Sequence, residues 1–85
     1  MCVGVVGRAT IGPDAGRYVE VDDDSTRQGG TGGYYVLVWD SAVAFDEWYE
    51  TEDGVREALA ERGVSWLTQE ESSVIPGRHR HGTST

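Results

Sequence analysis

The chain has 85 residues, with 15 acidic and seven basic side chains and a formal net charge of −8. That length holds one domain with one small core, burying about 63% of the surface its unfolded chain exposes. No apolar run approaches the ~18 residues of a membrane span, a single cysteine forms no internal disulfide, and the bases are too few to line a phosphate-binding groove, which argues against direct nucleic-acid binding.

Met1 to Gly7, followed at once by Arg8, lacks the basic leader and long apolar stretch of a signal peptide. Together with the lone cysteine this leads to the expectation of a reducing cytoplasm. Val3, Val5, Gly7, Ala9 and Ile11 put apolar or small residues at every second position, which predicts a first half-buried strand. Gly12-Pro13-Asp14-Ala15-Gly16 reads as a hairpin loop, with Pro13 pre-setting φ. Arg17 to Asp22 alternates again, Val19 and Val21 on one side.

Asp22 to Gly33 is polar and glycine-rich and predicts a second, longer loop with a mobile tip. Tyr34 to Trp39 is the strongest strand. Both of its faces are apolar, as in a central strand or one whose outer side meets another molecule. Phe45 to Glu50 predicts a fourth strand. Thr51 then caps a helix, with Glu52 and Asp53 in its first turn and Val55, Ala58 and Leu59 on its buried side. Gly63 is placed to end it, and Val64 to Leu67 returns as a short last strand. The order predicts an α+β fold: a small antiparallel sheet of four to five strands with one helix packed on one face. The domain spans residues 1–69, and 70–85, rich in Ser, Thr, Gly and charge, reads as a disordered tail. The expected core is Val3, Val5, Ile11, Val19, Val21, Val36, Val38, Phe45, Val55, Leu59 and Trp66.

The chain offers little for catalysis. Its only histidines, His79 and His81, fall in the expected tail, so no serine or cysteine nucleophile has a positioned base. Those two imidazoles fall short of the four ligands of a structural zinc site. Asp22-Asp23-Asp24 lacks the alternating carboxylates, the sixth-position glycine and the twelfth-position glutamate of a calcium loop. Gly29 to Gly33 precedes a strand and has no following lysine, so it is no phosphate loop. No cofactor, metal or catalytic residue is expected.

Charge and aromatics carry more. Residues 1–69 hold the whole −8, and all the bases are Arg. Such a surface either steers a basic partner or simply keeps the protein soluble. From Asp40 to Asp53 there are six carboxylates and no base: Asp40, Asp46, Glu47, Glu50, Glu52 and Asp53. Phe45, Trp48 and Tyr49 are interleaved among them, and Trp39 directly precedes. Aromatic anchors ringed by acids match a protein-binding hot spot facing a basic protein. The competing reading makes these aromatics core, which a small domain needs.

Two resemblances bear on function. Gly32-Gly33-Tyr34-Tyr35-Val36-Leu37-Val38, Phe45-Asp46-Glu47-Trp48, the Thr51-capped helix and Gly63-Val64-Ser65-Trp66-Leu67 together resemble small acidic actinobacterial proteins of the immunity type. That resemblance implies a cytosolic inhibitor of a toxin or defence effector, working by charge and shape and without catalytic residues. Phage-encoded inhibitors of host defence share this physical profile. Met1-Cys2-Val3-Gly4-Val5-Val6-Gly7 resembles the start of glutamine amidotransferases of the N-terminal-nucleophile type, with an extra residue, Val3, between cysteine and glycine. It implies an amidohydrolase with Cys2 as nucleophile. A third possibility is a structural or regulatory homodimer, paired through a sheet edge or the second face of strand 34–39.

Overall fold

Hydrophobic alternation gives the strands two distinct sides, and the helix covers one of them. The computed structural model describes residues 3–26, 29–68 and 70–71. Its elements are β1 (Val6–Arg8), β2 (Tyr18–Asp23), β3 (Tyr34–Trp39), β4 (Ala44–Tyr49), α1 (Glu52–Arg62) and β5 (Ser65–Trp66). The five strands form one sheet in the order β4-β3-β2-β1-β5, each neighbouring pair antiparallel. β1 to β4 are a meander, and β5 returns beyond α1 to lie against β1. This is the expected α+β architecture.

Residues directly opposite one another in a sheet share a face. On the helix side the pairing Val19↔Val38 and Val21↔Val36 builds an aliphatic centre. Ala9, Val55 and Leu59 close it, with Tyr34, Tyr49, Val64 and Trp66 packed around. α1 is fixed by local chemistry at both ends. The Thr51 hydroxyl accepts from the Gly54 N–H, Glu52 and Asp53 occupy the first turn, and Gly63 takes the left-handed cap at φ 57°. Val55, Ala58 and Leu59 are its buried residues, as their spacing predicts.

The other side of the sheet carries Arg8, Tyr18, Trp39 and Ala44 in one row, Val6, Glu20, Leu37 and Asp46 in the next, and Asp22, Tyr35 and Trp48 in a third. Glu20, Asp22, Val6 and Trp39 are buried there, whereas Trp48 is 45% exposed.

Four expectations are corrected. The first strand is shorter than expected: Val3, Val5 and Ile11 are exposed, Gly7 and Ala9 keep the expected side, and Val6 is buried on the other. Gly4, at φ +78°, breaks the run and donates to the Val21 carbonyl, and beyond Arg8 the chain leaves the sheet. Phe45 is 36% exposed rather than core, because β4 is the edge of the sheet. The loop expected over 22–33 starts later, since β2 continues through Asp23 and the hairpin through Asp24 N–H to Gly33 O. Of the expected tail, Glu70 and Glu71 have helical backbone. Thr68 and Glu71 cap it reciprocally, Glu71 N–H to the Thr68 hydroxyl and Thr68 N–H to the Glu71 carboxylate. Residues 72–85 lie outside the described residues.

Candidate functional site

β4 gathers the acid–aromatic segment into one edge strand. Its register with β3 runs without a break from Trp39↔Ala44 to Tyr34↔Tyr49. Alternation divides its residues: Ala44, Asp46 and Trp48 face away from the helix, and Phe45, Glu47 and Tyr49 face toward it.

Trp48 is both exposed and held. Its indole N–H donates to the Thr31 hydroxyl at 2.8 Å. Thr31 in turn donates through its backbone N–H and its hydroxyl to Asp24 Oδ2. The ring lies across Gly33, where a Cβ would come within 2.5 Å of it and of the Tyr49 carbonyl. The glycine at this position therefore makes room for the indole. Trp48, Thr31, Gly33 and Asp24 are one structural unit, and Asp46 and Glu50, both exposed, flank Trp48 in sequence.

Glu47 is engaged elsewhere. Both of its oxygens accept from Arg62 Nη2, and the Tyr49 hydroxyl donates to it at 2.8 Å. Arg62 also donates to Asp14 Oδ2 and to the Ala58 carbonyl. Burial alone depresses the Arg62 guanidinium's pKa, but the carboxylates of Glu47 and Asp14 outweigh it and leave the value raised. Tyr49 is also raised, by burial and then by the neighbouring Glu47 carboxylate. Asp14, 9% exposed, bridges two arginines, because its Oδ1 accepts from Arg17 Nη1.

Asp40 turns the chain into β4. Its Oδ1 accepts from the backbone N–H groups of Ala42 and Val43, and its Oδ2 from Arg17 Nε. Those two backbone donors, with Arg17, hold its carboxyl below the ordinary range. Trp39 is 6% exposed, tilted against Tyr18 with ring centroids 5.8 Å apart, and its indole N–H has no acceptor among the described residues. Glu52 pairs with Arg56 along the helix, and Asp53 is exposed beside it.

The ten residues expected at the site thus separate. Phe45, Asp46, Trp48 and Glu50 share an exposed edge. Asp40, Glu47 and Tyr49 work within the fold, Trp39 is buried, and Glu52 and Asp53 open the helix. Thr31, Gly33 and Asp24 belong to the site and were not anticipated. No sequence signal marks them, because the contact with Trp48 joins residues 15 and more positions apart. Among the described residues no group of three or more His, Cys, Asp or Glu is arranged for a metal, and no helix is long and apolar enough to cross a membrane. Cys2, His79 and His81 lie outside the described residues. Compared with known proteins, the chain matches no family model, no curated protein and no solved structure.

Proposed function

We propose that the protein is a non-enzymatic acidic binding module, an inhibitor of immunity or anti-defence type that covers a basic surface of a partner protein. The observation that carries this reading is Trp48: 45% exposed, yet fixed by Thr31 and Gly33 and flanked by carboxylates on an edge strand. An aromatic held before binding loses little freedom on docking, which is what makes it an efficient anchor. Asp46 and Glu50 supply the steering field, reinforced by the net charge of −8.

The test is capture of the partner followed by kinetics with the purified pair. Asp46→Asn with Glu50→Gln slows association and flattens its salt dependence while leaving dissociation nearly unchanged, since rim charges act on encounter. Trp48→Ala speeds dissociation, costing about 2 kcal/mol or more. Trp48→Ala stays folded in this account, and its thermal unfolding is the control. A purified partner bound equally by all variants at low and high salt places the interface elsewhere and overturns the reading.

A further inference from the structure

We infer that β4 accepts an extended basic segment of the partner as a sixth, antiparallel strand, with basic side chains seated opposite Asp46 and Glu50 and an apolar one over Trp48. The inference rests on β4 being the binding edge and says how that edge is used. Three observations lead to it.

The sheet order leaves β4 outermost, with no strand beyond it among the described residues. Its six residues pair with β3 in unbroken register, so its outward backbone groups form a regular ladder. Edges of this length are ordinarily blunted by proline, a bulge or charge; β4 has neither proline nor bulge, and its only charges are the carboxylates of Asp46 and Glu47, which leave it open to a basic strand. Such an edge is a template for strand addition, in which main-chain hydrogen bonds supply affinity and alternate side chains supply specificity.

The side chains define the incoming sequence. Away from the helix the edge presents Asp46 and Trp48, and Glu50 follows one residue past the end of β4. The complementary strand places basic, apolar and basic residues at i, i+2 and i+4 on that side. Toward the helix it meets exposed Phe45, which takes an apolar residue, and Glu47, which Arg62 already neutralises.

The same side chains argue against a second copy as the occupant. A two-fold antiparallel pairing of β4 with itself that overlaps five of its six residues sets either Asp46 opposite Asp46, or Asp46 opposite Trp48 with no base to meet it, Glu47 opposite Glu47 being eased by Arg62. Like charges directly opposite destabilise a sheet pair.

The probe is the peptide Arg-Val-Leu-Thr-Arg-Val, compared with the same peptide N-methylated at alternate residues and with a version carrying Glu for Arg. Amide exchange of residues 44–49 is read by NMR. At about ten times its Kd, the first peptide suppresses local opening about elevenfold, at alternate amides along β4. Neither control peptide does so, and Asp46→Lys with Glu50→Lys weakens the first peptide on the order of tenfold. Equal binding of the N-methylated peptide overturns strand addition while leaving the acidic-module reading intact. Failure of the first peptide to bind, while the purified partner still depends on Trp48, does the same. Protection of β4 that rises with protein concentration alone, together with a dimer in sedimentation, makes the second copy the occupant and also overturns it. A partner indifferent to Trp48 instead brings down the reading on which the inference rests.

Discussion

At one edge of the sheet β5 offers two residues, and its Trp66 packs on the core across Gly7; at the other β4 offers six, with Phe45 and Trp48 still exposed. The short edge is two residues long and is fastened on its inner side: Leu67 N–H donates to the Val6 carbonyl, and Thr10 and Ile11 N–H groups both reach the Arg62 carbonyl. The long edge is finished only by charge. An edge guarded by carboxylates rejects copies of itself and, by the same field, favours a basic strand.

The largest expected effect tests what the two edges share. Leu59 is 8% exposed in the common core, so Leu59→Ala costs about 2–5 kcal/mol in chemical denaturation. Both edges lose amide protection by the same factor if the domain is one cooperative unit. Separate loss at one edge would split the sheet into two units.

Removing Arg62 tests the strap between the edges, since it holds Glu47 of β4 and Asp14 of the β1–β2 loop at once. Arg62→Gln leaves the buried Asp14 carboxylate with Arg17 alone, and costs about 1.5–3 kcal/mol. Thermal unfolding checks the cost, and NMR shifts at Tyr49 and Ala15 report whether both ends respond.

Two glycines sharpen the contrast. At Gly7 a Cβ would lie 2.6 Å from Val64 and 2.9 Å from Trp66, and at Gly33 it would meet Trp48 and Tyr49. Gly7→Ala and Gly33→Ala each cost about 1–3 kcal/mol through overpacking. They differ in consequence: Gly33→Ala displaces Trp48 and weakens partner binding, whereas Gly7→Ala disturbs only the β5 edge. Equal effects on binding would remove the distinction between the edges.

The smallest effect is in pH. Asp40 has its carboxyl lowered in the folded state by the N–H groups of Ala42 and Val43 and by Arg17. A group depressed on folding contributes stability that is fully present above its unfolded value, about 3.9, and is lost as pH falls through the lower folded value. Asp40→Asn therefore flattens the acid limb of stability below about pH 4, and loosens the turn into β4 without touching β5. Acid titration followed by circular dichroism measures it; an unchanged acid limb would show that Asp40 is not a source of it.

What the sequence makes legible is local. Thr51, Gly63 and the spacing of Val55, Ala58 and Leu59 define α1 because caps and helical periodicity act within a few residues. Tyr34 to Trp39 reads as a strand because its β-branched and aromatic content leaves no other fit. The extent of β1 was not legible, since alternation through Val3, Val5 and Gly7 continues on paper across the break at Gly4. Phe45 read as core because alternation cannot say which strand ends the sheet. The Asp14–Arg62 contact joins residues 48 positions apart and has no sequence signature. For Trp48 the acid-ringed aromatic pattern found the residue, and only the fold revealed Thr31 and Gly33 as what holds it.

The return of β5 to β1 also orders the folding events. β1 to β4 pair with sequence neighbours, so their hairpins close short loops, steps that take microseconds in isolation. The contact between the Thr10 hydroxyl and the Gly63 carbonyl joins positions 53 apart and waits for α1 to cross the sheet. During synthesis the meander, with its acidic edge, leaves the ribosome before the helix that covers its aliphatic side. The carboxylates of β4 are then the first guard that nascent chains on one messenger have against pairing with each other.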